Sequence, residues 1–288
     1  MAFRADVFAW FPDGKIERIS PGDGIYYQAC IHPDGTHAVF YGGASGPVRV
    51  WRTDLATLDC EALTEPGTGA VHPVYSWDGR QIAFASDRGT QQLRTTVEEM
   101  TPLGPNVREM VVNLFAMNAD GSEVRQITRG SHRDHRPCCS PDGETLVFVS
   151  DRAGPPRLWT VAIHGEAEPA PLQKDGWGYR PWFSADGESV YFFTDVEGRH
   201  RICRMSIHDG SWEPLANDDR GRSHGPFFEW GRPQLLIHST RGGEEHSLWE
   251  VPLDGSEPRM LRPPGLEGHM AHGTRARNGV ITFDVPEL

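Results

Sequence analysis

Short runs of β-branched, aliphatic and aromatic residues alternate along this chain with polar turns. Ala38–Phe40, Ile82–Phe84, Leu146–Val149 and Val190–Phe193 are such runs, and each follows an Asp-Gly pair: Asp34-Gly35, Asp78-Gly79, Asp142-Gly143 and Asp186-Gly187. Asp-Gly between apolar runs predicts a tight hairpin, because both central residues accept positive φ. A third apolar run follows in each case (Val50-Trp51, Leu114-Phe115, Leu158-Trp159, Ile202-Cys203, Leu248-Trp249). A second Gly turn (Asp120-Gly121, His164-Gly165, Asp209-Gly210, Asp254-Gly255) then leads to a short fourth run such as Val124–Thr128. Nowhere does a helical apolar period persist for three turns. The pattern is that of strands throughout.

The stretch from Asp134 to Arg152 shows the repeat in its fullest form, and it returns in altered spelling along the chain. The turn residues fall at Asp34, Asp78, Asp142, Asp186 and, in degenerate form, at Trp230 and Asn278, with gaps of 44, 64, 44, 44 and 48 residues. A four-stranded unit cannot bury both of its faces alone, and radial repetition solves this. The expectation is an all-β, six-bladed β-propeller with four-stranded blades, one domain over residues 1–288. The last copy supplies only two strands, ending in Val280–Phe283. The N-terminus offers the missing two, Val7–Trp10 and Lys15–Ile19 across Asp13-Gly14, so the last blade is expected to be closed by the N-terminal strands, leaving no exposed edge. The long second gap marks an insertion at about 91–110 between second and third strands, a candidate lid over the channel mouth or a solvated loop.

Composition narrows the partners. The formal net charge of -12 disfavours nucleic acid and anionic membranes. No run of apolar residues is long enough to span a bilayer, and Met1–Val7 lacks a basic region followed by an apolar core, so no leader is expected. The five cysteines (Cys30, Cys60, Cys138, Cys139, Cys203) show no metal-type spacing and leave one over, which predicts reduced thiols in a cytoplasmic protein. Cys138 and Cys139 fall on an inner strand and are expected in the core. No Gly-x-Ser-x-Gly elbow or P-loop spacing occurs.

The position six residues before each turn residue should open the innermost strand, at the rim of the channel. It holds Gln28, His72, Arg136, Arg180, His224 and His272, with Tyr27, His135 and Tyr179 one residue earlier and His269 close by. Imidazoles converging from several blades would make a site for Zn²⁺, Mn²⁺ or Fe²⁺. Hydrogen bonding between blades, or a metal-free polar pocket, would use the same residues. Arg136 and Arg180 either clamp a carboxylate or phosphate or pair with an Asp of a neighbouring blade.

The pattern Ser-Pro-Asp-Gly, Phe-x-Ser-Asp-Arg, Leu-Trp resembles the repeat of TolB-type propellers, also found in the propellers of prolyl-oligopeptidase-like enzymes. The resemblance covers nearly the whole chain but not the separate N-terminal domain of the TolB family. It implies fold and says little about function. A narrower resemblance is to oligogalacturonate lyase, a metal-dependent propeller. Tyr26–Cys30 before Asp34-Gly35 is similar to that family's first blade, and Ser223-His224 followed by Phe227 and Phe228 is similar to the segment holding a metal histidine. That resemblance implies further ligands at His272 and Glu267. It departs at His269, which lies three residues before His272 where the family spaces its pair by two.

Taken together, these readings lead to one expected metal-bound set, His224, His269, His272 and Glu267, on a divalent ion. His135 or His72 would be a proton acceptor titrating near working pH, and Arg136 and Arg180 would stabilise developing charge. Gln28, Tyr27 and Tyr179 would contact substrate. The expected activity is a metal-dependent lyase or isomerase acting on a small acidic, uronate-like substrate. The alternatives are a TolB-like scaffold that binds a protein partner without catalysis, and a metal-dependent hydrolase.

Overall fold

The turns are built by the residues that predict them. In Ser76–Arg80 the Asp78 Oδ1 accepts the Ser76 hydroxyl at 2.6 Å and the Arg80 N–H at 3.0 Å, and the Gln81 N–H returns to Ser76 Oγ at 3.0 Å. Asp142 and Asp186 repeat the arrangement with Ser140 and Ser184. Gly79 takes φ +75°, and a Cβ there would collide with the His32 ring of the preceding repeat. A glycine is required by both conformation and space. The stretch from Asp134 to Arg152 closes on itself through a buried ion pair, Arg152 Nη2 to Asp134 Oδ2 at 2.5 Å, with Ser150 Oγ donating to Asp134 Oδ1 at 2.7 Å.

The computed structural model of the chain describes residues 4–90, 96–101, 104–105, 111–164, 167–218, 220–230, 232–241, 243, 246–266 and 268–287. It is an all-β propeller. Among the described residues four antiparallel four-stranded sheets stand separately. Their first strands are Ala70–Tyr75, His135–Cys139, Tyr179–Phe183 and Ser223–Phe228, and their second strands are Gln81–Ser86, Thr145–Ser150, Ser189–Val196 and Gln234–Ser239. Six separate blades are expected from the repeat, and here the structure differs. Apart from a two-stranded ribbon within 100–105, the other strands form one eight-stranded sheet in the order Ala271–Arg275, Ile281–Glu287, Arg4–Trp10, Ile25–Ile31, His37–Gly43, Arg49–Asp54 and Cys60–Ala62, with Ile16–Arg18 on Arg4–Trp10. The cause is local. After Arg4–Trp10 has paired antiparallel with Ile281–Glu287 (Arg4↔Glu287 through Trp10↔Ile281), a single parallel bridge, Ala5↔Ile25, ties it to the next inner strand.

The innermost strands form a closed ring. Ile25–Ile31 packs on Ala70–Tyr75, then in turn come His135–Cys139, Tyr179–Phe183, Ser223–Phe228 and Ala271–Arg275, which returns to Ile25–Ile31. The second strand of each repeat contributes a large apolar side chain to the core: Phe40, Phe84, Phe148, Phe192, Ile237 and Phe283, none more than 1% exposed. Each contributes about 1.5–3 kcal/mol by leaving water. A second apolar cluster, Leu236, Leu248, Leu261, Met270, Ile281 and Phe283 with Phe8 and Trp10 against it, joins the last repeats to the N-terminal strand. Cys138 and Cys139 are buried, as expected.

The expected lid at 91–110 lies largely outside the described residues. Of that segment, Val97–Glu99 form a 3₁₀ turn, and Met100–Thr101 pairs with Gly104–Pro105. The turn is anchored to the 43–47 loop by Val97 N–H to Gly46 O at 2.8 Å and Gly46 N–H to Glu98 Oε1 at 3.0 Å. Among the described residues no helix is long and apolar enough to cross a membrane.

Candidate functional site: the inner ring and its histidine chain

Each of the six inner strands is interrupted by a β-bulge at the same place, between Tyr27 and Cys30, Val71 and Val74, His135 and Cys138, Tyr179 and Trp182, His224 and Phe227, and Ala271 and Thr274. The first bulged residue takes a left-handed conformation: Gln28 (φ 51°), His72 (56°), Arg136 (54°), Arg180 (52°), Gly225 (58°) and His272 (53°). For a non-glycine residue this costs about 1–2 kcal/mol. Bulges re-aim side chains, and these six residues line one central cavity of about 90 Å³.

Five of the six positions are those expected for the rim. The sixth is Gly225 in place of His224. The fifth turn is degenerate, so counting back from Trp230 is off by one, whereas Pro226 aligns with Pro73, Pro137 and Pro181. Glycine stands there because a Cβ would lie 2.9 Å from His238 Cε1. His224 sits one residue earlier, paired directly with His238.

The cavity wall carries polar atoms without partners. His72 is 5% exposed, and neither ring nitrogen has a hydrogen-bond partner among the described residues. Gln28 Nε2 and Arg136 Nε are likewise sealed and unpartnered. Among the described residues neither Arg136 nor Arg180 pairs directly with a carboxylate. Arg136 lies over the Tyr179 ring, with Cζ 5.5 Å from its centroid, a cation–π contact. Arg180 Nη2 donates to His272 Nε2, and His272 Nδ1 lies 2.8 Å from both carboxylate oxygens of Asp284. That fixes the tautomer: the proton is on Nδ1, and the ring is neutral. Burial lowers both guanidinium pKa values, and for Arg180 the neighbouring Arg136 charge lowers it further. Burial pushes the Asp284 carboxyl up, while Arg180 and the Gln28 N–H hold it down. Its even contact with His272 through both oxygens is that of a carboxylate.

From His272 a chain of imidazoles runs outward. The His238 ring lies 5.0 Å from His272, His224 5.3 Å from His238, and His246 5.3 Å from His224 and 5.5 Å from His238. His269 is 4.9 Å from His246 and His200 is 4.8 Å from His224. His200 Nδ1 faces His224 Nε2 at 2.5 Å. Burial first, and then neighbouring imidazoles, bring the His224 pKa down to about 3 and that of His246 to about 4, with His238 also held well below its ordinary value. His238 Nδ1 and His246 Nε2 are buried without partners among the described residues.

The structure brings the expected metal set together only in part. His224 and His269 belong to the imidazole chain, His272 is engaged at both nitrogens, and Glu267 lies outside the described residues. Among the described residues no three His, Cys, Asp or Glu gather their ligating atoms closely enough to hold a metal ion as they stand. His72 and His135, whose ring centroids are 5.7 Å apart, do not titrate near working pH. Burial and the Arg136 charge hold both well below the ordinary imidazole value. Tyr27 is fully buried, and Tyr179 receives Arg136 on its face. The residues missed by sequence reading are His200, His238, His246 and Asp284. Two of them carry a readable signal. His238 and Asp284 each follow the buried apolar residue of a second strand, Ile237 and Phe283, and that position pairs directly with the residue before the bulge: Tyr27↔Tyr41, His224↔His238, Ala271↔Asp284.

Comparison with known proteins places this ring in a wider group. The chain is 29% identical over 169 residues to an uncharacterized protein of Agrobacterium fabrum, 55% of each chain, and 28% identical over 153 residues to a TolB homolog of Chlorobium luteolum, 53% of this chain and 30% of that one. The chain thus spans about half or less of the length of these relatives. The solved structure of a putative TolB from Agrobacterium tumefaciens superposes with a TM-score of 0.78 over 100% of both chains at 14% identity. An oligogalacturonate lyase in complex with manganese superposes at 0.54, covering 84% of this chain and 70% of that one at 16% identity. Likeness at such identities establishes the fold alone. The profile of the TolB beta propeller domain family (PD40) matches residues 106–271, more than half of the sequence, and the chain belongs to that family.

Proposed function

We propose that this chain is a TolB-like binding propeller whose central channel receives a group from a protein partner. One observation carries the reading: the cavity is lined by the bulged residue of every inner strand, and its buried polar atoms on Gln28, His72 and Arg136 have no partner among the described residues. Buried polar groups are ordinarily satisfied, so these are arranged for something that enters. The same ring supports reading the molecule as six blades in one domain over 1–288. In that reading the eight-stranded sheet is two four-stranded blades joined by the Ala5↔Ile25 bridge. All five cysteines are free thiols, four of them buried, which supports work in a reducing compartment such as the cytoplasm. The test is a plugged channel. A Gln28→Trp variant, checked for an unchanged circular dichroism spectrum, should lose a partner recovered with the wild type. Recovery of the same partner by both would move the binding surface away from the channel.

The imidazole chain favours a second reading, metal-dependent lyase or isomerase action on a small acidic, uronate-like substrate, with hydrolysis as a variant. In place of the set expected from sequence, the rings of His224, His238 and His246 would have to turn toward a common point to hold Mn²⁺, Zn²⁺ or Fe²⁺, since as they stand they do not form a ligand set. Such an ion would supply Lewis acidity, and Arg180 would orient the substrate carboxylate. Elemental analysis of untagged protein, together with an ultraviolet screen for unsaturated products from uronate oligomers, decides between the readings. Metal uptake with turnover lost in His224→Ala would displace the scaffold.

A further inference from the structure

The binding reading requires only that something enters the channel. The geometry points to what chemical group it is: a single carboxylate, held between Arg136 and Arg180, with Gln28 and His72 completing its hydrogen bonds. The inference rests on that reading for access to the channel, but it is indifferent to whether a protein or a free acid supplies the carboxylate.

Charge is the first argument. The ring holds two guanidiniums, Arg136 and Arg180, and one carboxylate, Asp284, which reaches Arg180 only through His272. The imidazoles of His72, His135 and His272 are neutral. The balance is +2 from the arginines and -1 from Asp284, leaving +1. A buried cation without a partner is costly, and a monoanion cancels it. A phosphate dianion would overshoot and leave a buried negative charge. Donor geometry is the second argument. Arg136 presents a sealed, unpartnered Nε–H, and the Gln28 amide nitrogen is also unpartnered. A planar carboxylate accepts from a guanidinium fork with two oxygens and still has lone pairs for an amide donor. His72 adds the third argument. It is 5% exposed and unpartnered at both nitrogens. A neutral imidazole has one donor and one acceptor, so it can donate to the carboxylate and accept from a hydroxyl beside it. The cavity, about 90 Å³, is several times what a single water needs, so a carboxylate has room to reach these donors.

Isothermal titration at pH 7.5 and low salt, with the whole chain, tests this using acetate, glycolate, inorganic phosphate and a short Glu-containing peptide. Glycolate should bind more tightly than acetate, and both more tightly than phosphate. Arg136→Met should weaken the best of these probes by about ten- to a hundred-fold, the loss of a charge-assisted hydrogen bond. Arg136→Lys, which keeps the charge without the fork, should fall between, and the exposed Arg80→Met should match the wild type. Near-ultraviolet circular dichroism of each variant guards against misfolding, and loss of binding in the folded Arg136→Met is the supporting result. Binding of the peptide alone would assign the carboxylate to a protein. Binding of the small acids alone would overturn the protein-partner reading while leaving this inference standing. Phosphate binding tighter than either small acid, Arg136→Met binding like wild type, or no binding by any probe would overturn it.

Discussion

Acidification is the sharpest perturbation of this molecule, because it sets the imidazole chain against the unfolded state. In the folded protein His224 titrates at about 3 and His246 at about 4, whereas in the unfolded chain both titrate at about 6.5. The folded values are depressed, so between pH 6.5 and 4 the unfolded state binds protons that the folded state refuses. Stability from these two groups is therefore complete above about pH 6.5 and is lost as pH falls from there toward the folded values. At pH 5 the gap from 6.5 is 1.5 pH units. At about 1.36 kcal/mol per unit this is about 2 kcal/mol for the buried His224 and, discounted for solvent screening, about 1 kcal/mol for the half-buried His246, about 3 kcal/mol together and a large part of a typical folding free energy of about 5–15 kcal/mol. Denaturant unfolding at pH 7.5, 6 and 5, in EDTA so that trace metal does not occupy the rings, measures it. The wild type should lose about 3 kcal/mol more than a His224→Gln/His246→Gln double variant between pH 7.5 and 5. Parallel profiles for the two proteins would show that the rings accept protons freely in the folded state, and the argument from burial would fail.

Three further outcomes follow from the architecture. Deleting residues 1–19 removes the strand that pairs from Arg4↔Glu287 to Trp10↔Ile281 and the Phe8 ring stacked on Phe283; the truncated chain should be insoluble, and a soluble, cooperatively melting product would count against closure by the N-terminus. Gly225→Ala should destabilise by about 1–3 kcal/mol through overpacking against His238, measurable by denaturant titration; a neutral result would mean that the His238 ring moves freely. Asp284→Asn should cost about 3 kcal/mol by leaving Arg180 without its buried counter-charge, yet should tighten glycolate binding, because the ring charge rises by one; weaker binding would contradict the charge balance in the channel.

Much of this molecule is legible in its sequence because its physics repeats. Asp-Gly turns and the residue six before them locate the hairpins and five of the six bulged positions, since each repeat must solve the same turn and the same close approach to the axis. Reading fails where the repeat is degenerate. Trp230 stands where the turn aspartate belongs, so counting back from it puts His224 at the ring position that Gly225 occupies. It fails again for His200 and His246, which come from third strands and loops that carry no repeating polar signature; only the folded ring brings them beside His224. The merged sheet was likewise hidden, because one parallel bridge, Ala5↔Ile25, leaves no compositional trace. Nor could titration behaviour be read from the chain. His72 and His135 look like working bases by type, and only burial beside Arg136 keeps them neutral well below their ordinary range.

The left-handed bulge has a consequence for how such a ring changes its ligand. Gln, His and Arg share one backbone conformation at five of the six places, so the main chain there accepts more than one long polar side chain, while Gly225 is held to glycine by the His238 ring. The strands, turns and core can stay fixed while those five displayed groups are exchanged among such residues, each exchange acting mainly on charge or hydrogen bonding at the axis. The ring acts as five exchangeable sockets around one hole, and its chemistry can drift without the fold having to follow.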